Sequence, residues 1–313
     1  MFFPFVSWEH DYTNLFAKKI ISTFNTQIHP RIITRLKGID DSSVICHPHV
    51  VAYLYFLKDR ANTQYFLTSE EANFEGVLAL VMESKERANK SVKDYILPLD
   101  FKPNLENHIP TFDRNMVMAT EMSNNIDPFK TKNYLSDAER LAPVVSAAAK
   151  ILYSTVPEYI VDMLRVSQAV TFFTRRLTSG FADPRSHGMM FINSDYVSSP
   201  PYMAEQLLHE SSHVLFHMLL NLFPMAKDSN SQLFNSGLRK DKRPLFGILH
   251  QVFVLSRLIR FFEITNIKPG VLGDNIDFYK SALSKNLDIL ENKASLTAAG
   301  EKFVQDVNAV YEF

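Results

Sequence analysis

Apolar residues return every three or four positions along three stretches near the start of the chain: "NLFAKKIISTFN", "HVVAYLYFLKDRA" and "SEEANFEGVLALVMESKERA". That spacing lays an apolar stripe along a helix, so the N-terminal part is expected to be helical. From Ile96 to Leu135 the rhythm is lost, and Pro98, Pro103, Pro110 and Pro128 interrupt any regular backbone pairing. This irregular stretch marks the expected seam. It divides an N-terminal helical region, 1–135, with contacts to a peptide or its leader, from a catalytic region, 136–313. One continuous domain is an equal reading.

Helical spacing resumes at "SDAERLAPVVSAAAKILYS", where Ser136 and Glu139 stand at the distance of a capping box. "RVSQAVTFFTRR" alternates as a strand does, "TSGFADPRS" reads as a turn, and "GMMFINS" reads as a second strand. In "SSPPYMAEQLLHESSH", Ser199 suits an N-cap, and Pro200 suits the first helical position, where no amide donor is missed. The pattern therefore predicts a predominantly helical α+β fold with a small sheet.

Composition narrows the class. The chain has 313 residues, 46% hydrophobic and 21% charged, which is ordinary for a globular protein with a sizeable core. A formal charge of −1 gives no basic surface of the kind nucleic acids need. The local run Arg239, Lys240, Lys242 and Arg243 reads as a solvated loop. The single cysteine, Cys46, rules out an internal disulfide and fits a reducing interior; with His47 and His49 it reads as structural rather than as a metal clip. The most apolar segment, "PLFGILHQVFVLSRLIRFF", is broken by His250, Arg257 and Arg260. No membrane partner is expected, and a cytoplasmic location is the default.

The chemistry concentrates in "AEQLLHESSHVLFHML", which carries His209, Glu210 and His213 as H-E-x-x-H. On a helix His209 and His213 differ by about 40° and lie about one turn apart, so both imidazoles can reach one metal ion. Two imidazoles and a carboxylate on an apolar helix are costly to bury unless something organises them. His217 continues the row but lies about 80° from His209, which suits packing or a supporting contact. The longer H-E-x-x-H-x-x-G-x-x-H pattern fails, because Phe216 and Leu219 occupy its last two fixed positions. Glu263 is available as a third ligand, but His250 in "RPLFGILHQVFVLSRLIR" is the better candidate. Arg257 lies seven residues further on, within about 20° of the same face and about 10 Å along the axis, which suggests an anionic ligand between the two.

The strand "GMMFIN", the helix "AEQLLHESSHVLFHML" and the segment "LFNSGLRKDKRPLFGILHQVFVLSRL" together resemble the HEXXH-motif peptide-modification proteins. These are 2-oxoglutarate-dependent peptide β-hydroxylases acting on ribosomally made precursor peptides. The resemblance covers about Gly188 to Arg260 and extends loosely to "SLTAAGEKFVQDV". It implies Fe(II) held by His209, His213 and His250, with 2-oxoglutarate as co-substrate and a precursor peptide as partner. It also implies a strand–helix arrangement like that of the zincins. Three neutral imidazoles leave the ion its full charge, which suits a dianionic co-substrate, and the distal carboxylate calls for an arginine fork. Arg257 is the first choice for that task and Arg243 the second.

For the peptide, the strand Met189–Asn193 offers main-chain pairing if it lies at a sheet edge, with His187, Arg185, Asn193 and Tyr196 as contacts. A buried central strand is an equal reading. Glu210 is the expected catalytic side chain, orienting a ligand or moving a proton. Two alternatives stand beside the hydroxylase. One is a zinc peptidase in which Glu210 takes a proton from metal-bound water, with Glu263 or His250 as third ligand. The other is a catalytically silent peptide-binding protein that keeps the helix for structural reasons.

Overall fold

The computed structural model describes residues 12–60, 74–79, 81–82, 134–167, 169–173, 179–227, 232–273, 275–292 and 294–311. The proline-rich stretch 96–135 lies almost wholly outside them. The described chain is mostly helical with two small sheets, an α+β fold. It forms two compact units, and the division falls after Ser146 and after Met163 as well as after Tyr196. Residues 136–146 and 164–196 thus belong with the N-terminal helices, not with the region that begins at 136 in the sequence reading.

The unit that holds the N-terminal helices has α1 (Tyr12–Phe24), α2 (Pro30–Lys37), α3 (Ser42–Ile45) and α4 (Pro48–Arg60). Helix α1 turns Phe16, Ala17, Ile20 and Phe24 inward, the stripe that the periodicity predicts. His29 caps α2 by accepting a hydrogen bond from the Arg31 amide, ahead of Pro30. Asp41 does the same for α3 through the Ser43 amide. Cys46 is a buried free thiol whose Sγ lies 3.6 Å from the Thr13 carbonyl oxygen, and His47 is buried too. The structural reading of this pair fits their surroundings.

The helices α5 (Tyr134–Thr155) and α6 (Pro157–Val166) follow. Helix α5 begins two residues before Ser136, so that serine stands inside the first turn and not at the cap position. The sheet of this unit is β1 (Ala169–Phe173), β2 (Gly180–Phe181) and β3 (Met189–Asn193), in the order β1-β3-β2. Strand β3 is parallel to β1 along its full length, and antiparallel to β2 at Phe191 and Ile192. All five of its residues are buried, as a central strand requires. Gly188 enters it at φ +93, with Pro48 Cδ only 3.1 Å from where a Cβ would stand.

The other unit contains α7 (Pro200–Leu222), the hairpin β4 (Leu233–Asn235) and β5 (Lys242–Pro244), and helices α8 (Leu245–Thr265), α9 (Ile276–Asn292) and α10 (Ala298–Asn308). Ser199 caps α7 by accepting from the Tyr202 amide, with Pro200 next, as the sequence predicts. Pro244 opens α8, and Asn266 closes it in the left-handed conformation at φ 55. Helix α8 is long and apolar enough to cross a membrane by composition, but most of it is buried inside this unit, packed against α7 and α9. A helix this apolar must be covered along most of its length, and α8 is buried at fourteen of its twenty-one residues.

Candidate metal centre

Helix α7 is buried from Met203 to Leu219 with one exception, His213. His213, which ends the H-E-x-x-H segment, is half-buried. The segment's serines do not compete for the histidines: Ser211 and Ser212 both donate to the Leu208 carbonyl oxygen. One turn earlier, Glu205 is also buried but turned away, accepting from the Gly270 and Val271 amides and the Tyr279 hydroxyl. Burial pushes its carboxyl up to about 7 against those three donors, and it ties α7 to the loop between α8 and α9.

Three imidazoles meet. His209 Nε2 lies 3.2 Å from His213 Nε2, and His213 Nδ1 lies 3.2 Å from His250 Nδ1 on α8. A fourth ring, His217, has its centroid 4.6 Å from that of His250. Phe216 and Phe246 wall the His250 ring with centroids at 4.9 and 4.4 Å. Glu263, the other third-ligand candidate, is half-exposed and paired with Lys280 at 2.6 Å.

The electrostatics follow from burial. Desolvation, then the neighbouring imidazoles, holds His209 and His250 well below the ordinary histidine range; His213 is lowered to about 3. All three are neutral at pH 7, and a neutral imidazole has a lone pair to give a metal. The same burial pushes Glu210 up to about 8, partly offset by the charge of Arg239. His209 Nδ1, His250 Nε2 and Glu210 Oε2 are buried without a hydrogen-bond partner. Each such orphaned atom is costly to bury.

The donor set suits a divalent cation, and one pair suits it geometrically. Two nitrogens 3.2 Å apart, each ~2.1 Å from a shared ion, subtend an angle of about 100° there, between octahedral and tetrahedral values. The third ring does not share that point. His213 faces His209 with one nitrogen and His250 with the other, and among the described residues no group of three His, Cys, Asp or Glu side chains is arranged to hold a metal ion. A single ion bound by all three needs a change of ring orientation at His213 or His250.

Neither arginine expected to hold an anion is without a counter-ion. Arg257 is 1% exposed, its Nη1 donates to Asp162 Oδ2 at 2.6 Å, and its guanidinium lies over the Tyr159 ring at 4.0 Å. A cation on an apolar helix suggested an anionic ligand; the anion is a protein carboxylate from α6. Arg243 pairs with Asp241 at 2.7 Å and is partly exposed.

The expected peptide contacts lie in the other unit and are mostly engaged. His187 and Asn193 are buried; His187 packs on Phe16 with ring centroids 4.5 Å apart, and Asn193 Oδ1 accepts from the Asp195 amide. Arg185 forks onto Asp183. Tyr196 is exposed. Because β3 lies between β1 and β2, peptide pairing along an open edge of β3 is not available where those strands flank it.

Arg239 belongs to the run expected from the sequence to be a solvated loop. It sits in the turn of the β4–β5 hairpin, where its amide donates to Ser236 Oγ, and its charge acts on His209, Glu210 and His213. No family model matches this chain, and no curated protein matches it in sequence.

Proposed function

We propose that this chain is an Fe(II)- and 2-oxoglutarate-dependent oxygenase that hydroxylates the β-carbon of residues in a ribosomally made precursor peptide. The observation that supports it is the meeting of α7 and α8: His250 comes within 3.2 Å of His213, while Glu263 is tied to Lys280. That favours a set completed by His250 over one completed by Glu263. Three neutral ligands leave an ion its full double charge for an anionic co-substrate. The resemblance of "AEQLLHESSHVLFHML" and "RPLFGILHQVFVLSRL" to the peptide β-hydroxylases supplies the reaction class, and the zincin-like strand–helix arrangement belongs to the same proposal.

Bound Fe(II), with 2-oxoglutarate and O2, supplies the replacement of a C–H bond by C–OH, 2-oxoglutarate leaving as succinate and CO2. The protein's part is positional. His209, His213 and His250 hold neutral lone pairs ready at pH 7, because burial keeps protons off them. Phe216 and Phe246 cover the His250 side against water. Glu210, buried next to His209, has its carboxyl pushed up to about 8 even with the charge of Arg239 acting on it, so a bound metal ion would release its proton.

The test is metal analysis after anaerobic purification, then succinate release with and without a candidate precursor peptide. Peptide-dependent succinate together with a product heavier by one oxygen atom is the expected result. Zinc retention with peptide cleavage, or metal-free peptide binding without turnover, replaces the proposal with the peptidase or the silent binder.

A further inference from the structure

The β4–β5 hairpin adjoins the candidate metal centre through the start of α8. Pro244 ends β5 and opens α8. Two residues on, the Phe246 ring lies 4.4 Å from that of His250 and stays 37% exposed. The hairpin is not a loose loop. A Cβ at Gly237 would stand 2.5 Å from the Ala282 carbonyl oxygen on α9. The Gly237 amide donates to Asn286 Oδ1 at 2.8 Å, and Asn286 Nδ2 donates to Gln251 Oε1 on α8 at 3.0 Å. The Arg239 amide donates to Ser236 Oγ at 2.9 Å and closes the turn.

The register gives the hairpin two different faces. Leu233 stands opposite Pro244 and Asn235 opposite Lys242, so these four side chains share one face, and Phe234 and Arg243 share the other. Phe234 is buried, which turns its face to the protein; Leu233, 56% exposed, Asn235 and Lys242 are turned to solvent. The turn adds Arg239 and Lys240, both exposed. Residues 239–243 thus carry four cations and one carboxylate, in a chain whose formal charge is −1. That carboxylate, Asp241, pairs with Arg243 at 2.7 Å. Among the described residues no carboxylate pairs with Arg239, Lys240 or Lys242.

We infer that the outer face of the β4–β5 hairpin docks an acidic stretch of the peptide substrate. Lys240 and Lys242 are its principal cations, Leu233 is an apolar contact, and Phe246 joins the surface to the metal centre. The inference rests on the reading of the substrate as a peptide and gives that peptide a chemical character, carboxylates close to the residue that is modified. Charge complementarity selects the occupant and steers its approach. A nucleic acid strand asks for a longer basic stripe on a basic chain, whereas this run is short and flanked by exposed leucine and phenylalanine. Because the hairpin is already pinned to α8 and α9, little of the protein has to be ordered on binding.

The experiment is fluorescence anisotropy of the full chain with a labelled glutamate-rich peptide and with its glutamine counterpart, at low and at high salt. The protein is taken as wild type, K240E/K242E and K268E, the last placing the same charge change on an exposed lysine outside the hairpin. The expected result is saturable binding of the glutamate peptide at low salt, at least about tenfold weaker for the glutamine peptide and in K240E/K242E, and unchanged in K268E. High salt should weaken the wild type toward the double variant, because the cations are exposed. The thermal midpoint of K240E/K242E should stay close to wild type. No binding by the wild type, equal binding of the two peptides, or wild-type affinity in K240E/K242E overturns the inference. A single-stranded oligonucleotide that binds more tightly than the glutamate peptide, and loses as much in K240E/K242E, replaces the peptide with nucleic acid. The succinate assay separates the two readings. Peptide binding without turnover keeps the docking surface and ends the oxygenase proposal, and turnover with an unchanged peptide KM in K240E/K242E does the reverse.

Discussion

An arginine buried to 1% exposure has to be met by an anion, and for Arg257 that anion is Asp162, ninety-five residues earlier in the chain. The pair is sealed on one side by the Tyr159 ring. Removing one member leaves the other charged and uncompensated in the interior. Arg257→Met should therefore lower stability by about 3–5 kcal/mol, whereas the double change with Asp162→Asn should recover a large part of it. Urea unfolding of the three variants checks this, and equal losses in the single and double variants would mean that the pair is not coupled. "YIVDMLRV" held a signal for the partner, an aspartate among apolar residues on a helix, but nothing in it named Arg257. His209 and His213 are different. Their four-residue spacing puts the two side chains on one face within reach of each other, and Nε2 lies 3.2 Å from Nε2.

At the level of elements, the site is an agreement between α7, α8 and the β4–β5 hairpin. The cap that begins α7, Ser199 with Pro200, was legible because capping is local chemistry. How α7 and α8 meet was not. His250 and His217 both contact that junction, but only His250 offers a nitrogen to His213. His250→Ala should reduce bound metal to a small fraction of wild type after desalting, and His217→Ala should keep most of it. Metal analysis by mass spectrometry decides, and full occupancy in His250→Ala ends its assignment as a ligand. The hairpin depends on Gly237, where a methyl group would meet the Ala282 backbone. Gly237→Ala should cost about 1–3 kcal/mol through overpacking. An unchanged unfolding midpoint in that variant would show that the contact is easily relieved. The sheet teaches a similar lesson. Alternation predicted strands near 169–173 and 189–193, but their order, with β3 between the other two, comes from pairing between segments and removes the flanked edge from peptide binding.

For the whole molecule the buried ionisable groups set a pH response. His187, His209, His213 and His250 have folded-state values below the ordinary 6.5. Groups lowered in this way add stability that is full above pH 6.5 and is lost as pH falls below it, since the unfolded chain then takes up the protons. Glu205 and Glu210 are raised, from 4.5 to about 7 and about 8. Their contribution is full below 4.5 and is lost as pH rises toward those values. Below 6 the four histidines outweigh the two carboxyls, and above 7 the carboxyls outweigh the histidines. The metal-free chain should accordingly be most stable at about pH 6–7, falling on both sides. Thermal unfolding across pH 5 to 8.5, in chelator, checks this, and a monotonic rise to pH 8.5 would contradict the buried state of both carboxyls. Bound metal at a hundredfold excess over its Kd should add about 2.7 kcal/mol, removed again by chelation.

The chain by itself determined what depends on a few neighbouring residues: helices where apolar positions recur with the helical period, a cap at Ser199, and two imidazoles side by side on α7. Only the tertiary structure decided which group answers which. It brought His250 to His213 and gave Arg257 to Asp162. The reason is physical. Side-chain direction along one helix is fixed by its own backbone. The counter-ion or partner of a buried group is fixed by the segments that pack against it, which can come from anywhere in the chain.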